Sequence, residues 1–258
     1  MTMQLEKALK LKSRLRAGTP SFGAQIGLSD PAVAEIFGRA GFDWLVVDTE
    51  HSANNAGTLQ SMLQAASYTD AVVLGRPLRL DTDEIRRLLD VGAHGILCPF
   101  INNGEEASRL VQACRYPPDG VRGYGPRRAG AYGFDSDEYF QKANGALLVL
   151  AIIESDVAIN NIDEIVAVDG IDGVVIGPMD LSISLGLFKQ FEHPTYIAAV
   201  DQVRSACSKH GKAMGTGCYS LEHAARCRQQ GDTLLLVGGD DVFLANESRR
   251  WIGALRSK

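Results

Sequence analysis

The chain has 258 residues, of which 45% are hydrophobic and 22% charged, with a formal net charge of −5. That length suits one barrel or two small domains with a large core. The acidic balance, without a basic run, argues against a nucleic-acid partner. No apolar run approaches the roughly 18–20 residues that span a bilayer, so no membrane partner is expected.

The N-terminal segment is amphipathic, with Leu5, Leu9 and Leu15 among lysines and arginines. It lacks the apolar core and cleavage site of a signal peptide and reads as a helix. A short strand follows at Phe22–Ile26, then a helix over Pro31–Ala40, capped by Ser29 or Asp30 and closed by Gly41. Strand Trp44–Val47 runs into DTEHS, and a helix covers Leu59–Ala66. Strand Ala71–Leu74 ends in Gly75-Arg76-Pro77, and the helix Asp83–Asp90 stops near Gly92. Strand Gly95–Cys98 precedes a helix over Glu105–Cys114. A long glycine-rich stretch follows, RYPPDGVRGYGPRRAGAYGF, and then a helix near Glu138–Ala143.

Two apolar runs, Leu147–Ile153 and Gly173–Ile176, flank a segment with helical spacing at Ile159, Ile162, Ile165 and Val166. Strand, helix, strand is a βαβ unit with parallel strands. The chain closes with helix Tyr196–His210, strand Ala213–Thr216, helix Leu221–Gln229, strand Thr233–Val237 and helix Ala245–Leu255. Eight strands alternating with helices, with no linker between them, predict a single (β/α)₈ barrel over 1–258. A doubly wound open sheet is the rival, and the absence of GxGxxG after the first strand counts against a dinucleotide version of it. The cysteines, Cys98, Cys114, Cys207, Cys218 and Cys227, are odd in number and form no CxxC. They read as reduced thiols of a cytoplasmic protein.

In such a barrel, active groups sit at the C-terminal ends of the strands. Parallel strands bring Glu154 and Asp180 to that same edge, where two oxygen ligands suit Mg²⁺ or Mn²⁺ better than zinc. A salt bridge to an arginine is the alternative for Glu154. His51, between Asp48 and Ser52, is placed to act as a base, with an acidic neighbour to orient it. Arg76 at a strand end can clamp a carboxylate or a developing oxyanion, or serve a structural ion pair. The other histidines, His94, His193, His210 and His223, read as structural. No lysine ends a strand, so a Schiff base is not expected and an enol would need metal. Arg122, Arg127 and Arg128 lie in the long loop, which either covers the site or contacts a second subunit. Glycines after strands seven and eight, GTG and GGDD, serve either phosphate binding or tight turns.

Five stretches resemble the HpcH/HpaI aldolase family: GFDWLVVDTEHS, the GRP at 75–77, LLDVGAHGILCPFINNGEEA, RYPPDGVRGYGPRRAGAYG, and IIES with VDGIDGVVIGPMDLSISLG. The likeness covers nearly the whole chain, and DTEHS and IGPMDLS are its most specific parts. It implies a metal-dependent (class II) pyruvate aldolase that cleaves a 4-hydroxy-2-oxo acid to pyruvate and an aldehyde through a metal-stabilised enolate. The ligands would be Glu154 and Asp180, holding Mg²⁺, Mn²⁺ or Co²⁺. Arg76 would hold the pyruvate keto oxygen. His51 would be the base, helped by Asp48 and by Asp90 across a subunit contact. Backbone groups of Gly177, Pro178, Met179 and Asp180 would hold the pyruvate carboxylate. The resemblance also implies a homohexamer, a dimer of trimers with exchanged terminal helices. The family includes a siderophore-pathway citrate synthase, so condensation of oxaloacetate with acetyl-CoA is the alternative activity. A phosphosugar enzyme and a non-catalytic binding protein are more distant readings.

Overall fold

In the computed structural model, which describes residues 3–257, the elements run in this order: α1 (Met3–Arg16), β1 (Ser21–Ile26), α2 (Pro31–Ala40), β2 (Trp44–Asp48), α3 (Ala56–Ala65), β3 (Val72–Arg76), α4 (Thr82–Asp90), β4 (Gly95–Cys98), α5 (Gly104–Cys114), α6 (Ser136–Ala146), β5 (Leu148–Ile153), α7 (Asp156–Asn160), α8 (Ile162–Ala167), β6 (Gly173–Ile176), α9 (Pro178–Ser184), α10 (Pro194–His210), β7 (Ala213–Gly217), α11 (Leu221–Gln229), β8 (Leu234–Gly239) and α12 (Asp240–Arg256). The strands pair in sequence order and close into a barrel, every pairing parallel, with β8 bonded to β1. The fold is the expected (β/α)₈ barrel.

Alternate residues of each strand face opposite sides. On β2, Trp44 and Val46 join the inner cluster with Val72, Leu74, Leu148, Leu150 and Ile152, while Leu45 and Val47 pack outward under the helices. The same parity carries inward to Asp48, Arg76 and Glu154. Trp44 fills the barrel because Gly23 opposite has no side chain; a Cβ there would lie 2.3 Å from the indole.

Helix α1 stops the other end of the barrel. Ala8, Leu11 and Leu15 belong to the inner cluster. Lys12 is buried, with Nζ 3.0 Å from Asp172 and donating to the Leu147 carbonyl at 2.9 Å. Helix α1 thus spends its apolar stripe on the barrel of its own chain. Helix α12 differs: only Asp240 is buried, and Leu244, Trp251, Ile252 and Leu255 face outward.

Three further differences from the sequence reading have local causes. Helix α9 was not anticipated, because its seven residues follow β6 directly; Pro178 at its first position and Gly186 beyond its end were the available signals. Helix α12 starts at Asp240, five residues earlier than expected. Its Asp240 carboxylate accepts from the amides of Gly27 and Leu28, both at 2.9 Å, and so ties the helix start to the β1 end. The long loop lies at the strands' N-terminal end. Arg128 donates to the carbonyls of Leu63 and Val91, at the ends of α3 and α4, so the loop cannot cover the site of its own chain.

Candidate active site

Asp48 and Arg76 are register partners at the C-terminal ends of β2 and β3. Arg76 grips the Asp48 carboxylate bidentately, Nε to Oδ1 at 2.9 Å and Nη2 to Oδ2 at 2.7 Å. Asp48 also accepts from Gln25 Nε2 at 2.9 Å and from the amides of Glu50 at 2.9 Å and His51 at 3.2 Å. Burial opposes ionisation of this carboxyl, but the bonds and charge of Arg76, with the two amides, outweigh it and hold it below its ordinary value. Asp48 therefore fixes Arg76 and the His51 backbone. It does not orient the His51 ring.

The acidic neighbour of the ring is Glu50. Its carboxylate stands 3.7 Å from His51 Nε2 on one side and 3.4 Å from Arg76 Nη1 on the other. Glu50 is pushed above its ordinary value by burial and by Asp48 and Asp180, against Arg76 and His51. The His51 side chain is 64% exposed.

Glu154 continues the inward parity one residue past β5 and is only 4% exposed. Its Oε1 accepts from the Phe100 amide at 2.8 Å. Phe100 holds φ 51°, a left-handed conformation uncommon for a non-glycine residue, to point that amide at the carboxylate. Burial pushes the Glu154 carboxyl up to about 7; Asp180 and Glu50 push the same way, against the Phe100 amide and Arg76. Asp180 stands in the first turn of α9, entered through Gly177 and Pro178. Met179 beside it is 39% exposed.

Asp48, Glu50, Glu154 and Asp180 thus stand against one guanidinium, whose Nε and Nη2 already hold Asp48. Buried carboxylates in that excess call for another cation. The donor set is all oxygen, which suits a hard divalent ion. No three His, Cys, Asp or Glu side chains converge on one point among the described residues, so such an ion would take two protein carboxylates, Glu154 and Asp180.

Asp90 is not brought to this site. It ends α4 at the opposite end of the barrel, 2.7 Å from Nη2 of Arg122, which is fully buried against Tyr116 and Tyr139. Only another subunit could present it to His51. A cavity of about 690 Å³ opens beside the β2 and β3 ends, lined by Thr49, Asn54, Leu78, Glu84 and Arg87 among others. It borders the site without including its carboxylates. Sequence reasoning gave no role to Gln25, Glu50 or the Phe100 amide. The first two are polar residues at strand ends and were open to the same rule that found Arg76; the amide left no signal.

A barrel with this polar ring at its C-terminal mouth has the layout of an enzyme. The family model for HpcH/HpaI aldolase/citrate lyase matches residues 22–246. The 4-hydroxy-2-oxo-heptane-1,7-dioate aldolase of Escherichia coli is 40% identical over 235 residues, covering 91% of this chain and 90% of that one. Among solved structures, an HpcH/HpaI aldolase/citrate lyase family protein from Burkholderia cenocepacia superposes with a TM-score of 0.92 at 32% identity, covering 96% and 99% of the two chains. Citrate synthase SbnG superposes at 0.85 with 28% identity, covering 95% and 96%. The protein is a carbon–carbon lyase on a (β/α)₈ barrel. It belongs to the HpcH/HpaI aldolase/citrate lyase family, and its activity is that of an aldolase.

Proposed function

We propose that the chain cleaves a 4-hydroxy-2-oxo acid reversibly to pyruvate and an aldehyde, with a divalent cation, Mg²⁺, Mn²⁺ or Co²⁺, held by Glu154 and Asp180. The observation that carries this reading is the buried Glu154 carboxyl, with half-buried Asp180 and Glu50 near it and only Arg76 to offset their charge. When bound, the cation supplies Lewis-acid stabilisation of the enolate oxygen. Arg76, locked by Asp48, donates to that same oxygen as charge develops on it. The turn Gly177–Pro178–Met179–Asp180 seats the pyruvate carboxylate. His51 removes the methyl proton, with Glu50 beside its ring, and Asp90 of a neighbouring copy completes the dyad.

That last role, and the bare apolar face of α12, support a homohexamer arranged as a dimer of trimers. The whole chain is read as one barrel domain of a cytoplasmic enzyme. The likeness to citrate synthase SbnG favours one other reading, condensation of oxaloacetate with acetyl-CoA.

Deuterium exchange into the pyruvate methyl group, followed by NMR with added Mn²⁺ or Mg²⁺ and again with a chelator, tests the proposal without knowledge of the aldehyde. Exchange that needs metal is the expected result. No exchange under either metal, with free thiol released from acetyl-CoA and oxaloacetate, would replace it with the condensation.

A further inference from the structure

The charged groups of the mouth stand at the ends of β2, β3 and β5 and in the turn after β6. The ends of β7, β8 and β1 are furnished differently. Gly217 ends β7 on the face that Ala213 turns into the barrel, and β8 ends in Gly238 and Gly239. Gly239 is the register partner of Gln25 on β1. Ala24 and Ile26 pack outward under the helices and Gly23 faces Trp44 inside, so Gln25 turns inward. Since the glycines bring no side chain, Gln25 is the inward polar group of this side.

Gln25 is half-buried, and its Nε2 donates to Asp48 Oδ2 at 2.9 Å. Arg76 Nη2 stands 2.7 Å from that same oxygen. A carboxylate ion-paired to Arg76 only accepts, so it fixes the Gln25 amide with the nitrogen toward it. The amide oxygen, Oε1, is thereby a fixed acceptor, and no donor among the described residues bonds to it. A substrate whose keto oxygen lies against Arg76 carries its chain within reach of that acceptor.

Charge narrows the class further. The connections after β7 and β1 are residues 218–220 and 27–30, and α12 starts straight after β8 with Asp240 and Asp241. None of these residues is a lysine or arginine. A second carboxylate at the far end of a substrate would meet only other carboxylates of its own copy here, and an anion taken from water needs a partner.

Resting on the proposed cleavage to pyruvate and an aldehyde, we infer that Gln25 determines which aldehyde the site takes. Its amide oxygen accepts a hydrogen bond from a hydroxyl on the carbon next to the aldehyde, so the substrates are short hydroxylated aldehydes without a carboxylate. A site built to bond a substrate hydroxyl discriminates against the analogue that lacks it, because the site's acceptor is then left unpaired.

The test measures kcat/KM for addition of pyruvate to lactaldehyde, to propionaldehyde and to 4-oxobutanoate, with the full chain and Mn²⁺. The first two share a carbon skeleton and differ by the hydroxyl; the third ends in a carboxylate. The wild type should prefer lactaldehyde to both. Gln25→Met removes the acceptor at similar volume and should lower the lactaldehyde-to-propionaldehyde ratio about tenfold, the loss of one hydrogen bond. Gln25→Leu repeats the measurement with a different shape. Both aldehydes meet the same enolate in the same preparation, so any effect on Asp48, Arg76 or the folded fraction cancels from the ratio. A ratio unchanged in both variants, or a wild type that favours propionaldehyde or 4-oxobutanoate, would overturn the inference. Failure of the underlying reading shows separately, as pyruvate methyl groups that exchange no deuterium with metal present, and it takes the inference with it.

Discussion

Arg76 is the residue on which the proposed chemistry turns, and one edge of its guanidinium is committed before substrate arrives. Nε and Nη2 hold Asp48, which fixes the plane of the guanidinium and leaves the Nη1 donors, near Glu50, for a developing oxyanion. Arg76→Lys keeps the charge but cannot grip Asp48 bidentately. It should fold normally and lose about 10²–10³ in kcat/KM, checked by steady-state cleavage of a 4-hydroxy-2-oxo acid. His94 gives a prediction of a different kind. It is buried, its Nδ1 accepts from the Val73 amide at 2.7 Å, and burial, with Lys7 and Arg128, lowers it from 6.5 to about 3. Between those values the unfolded chain binds a proton that the fold does not. The stability is therefore complete above the unfolded value and falls with falling pH. His94→Asn retains an acceptor and removes the titration. Urea unfolding should show the wild type losing about 1 kcal/mol more than the variant between about pH 7 and about pH 5.5. That His94 is structural was legible from its place at a strand start. The Asp48–Arg76 lock was not, because a hydrogen-bond partner on the next strand, across an intervening helix, is set by register, which no local pattern states.

At the scale of the element, what could be read was what repeats. Alternation of apolar runs located every strand and so placed Asp48, Arg76 and Glu154 at one edge. The turns that aim the ligands have no period, and they were the parts missed. The β6–α9 turn is the clearest instance. Gly177 accepts no side chain because a Cβ there would lie 2.5 Å from Glu154 Oε2 and 3.0 Å from Glu154 Cβ. Gly177→Ala must therefore push the Glu154 carboxylate out of place while leaving β6 paired. Mn²⁺ affinity, measured by calorimetry, should fall about tenfold or more, as it does when the support of a metal ligand is lost. Circular dichroism should stay unchanged. Undiminished affinity would mean that Glu154 is not held by this turn, or is not a ligand.

The whole molecule is left with one surface that its own barrel does not explain. In most (β/α)₈ barrels the last helix packs over the first and last strands. Here Asp240 anchors the start of α12, Phe243 stacks edge-on to Phe37 with centroids 5.8 Å apart, and the rest of the helix leaves the barrel bare of side-chain burial. Leu244, Trp251 and Leu255 recur at helical spacing and are each 59–65% exposed. Burying such side chains contributes about 1.5–3 kcal/mol apiece, so an apolar stripe of this length is an interface in waiting. At the opposite end of the barrel, Asp90, ion-paired to Arg122, cannot reach its own His51. If copies exchange α12, both features are answered together, since assembly would bring a foreign Asp90 to each His51. Replacing Leu244, Trp251 and Leu255 by Asp touches nothing buried in the barrel, so the chain should still fold. Sedimentation should show a fall from the proposed hexamer to smaller species, and pyruvate methyl exchange should drop in parallel, with Mn²⁺ binding at the proposed Glu154–Asp180 site retained. Full exchange in a dissociated variant would separate the two features and place proton removal within a single copy.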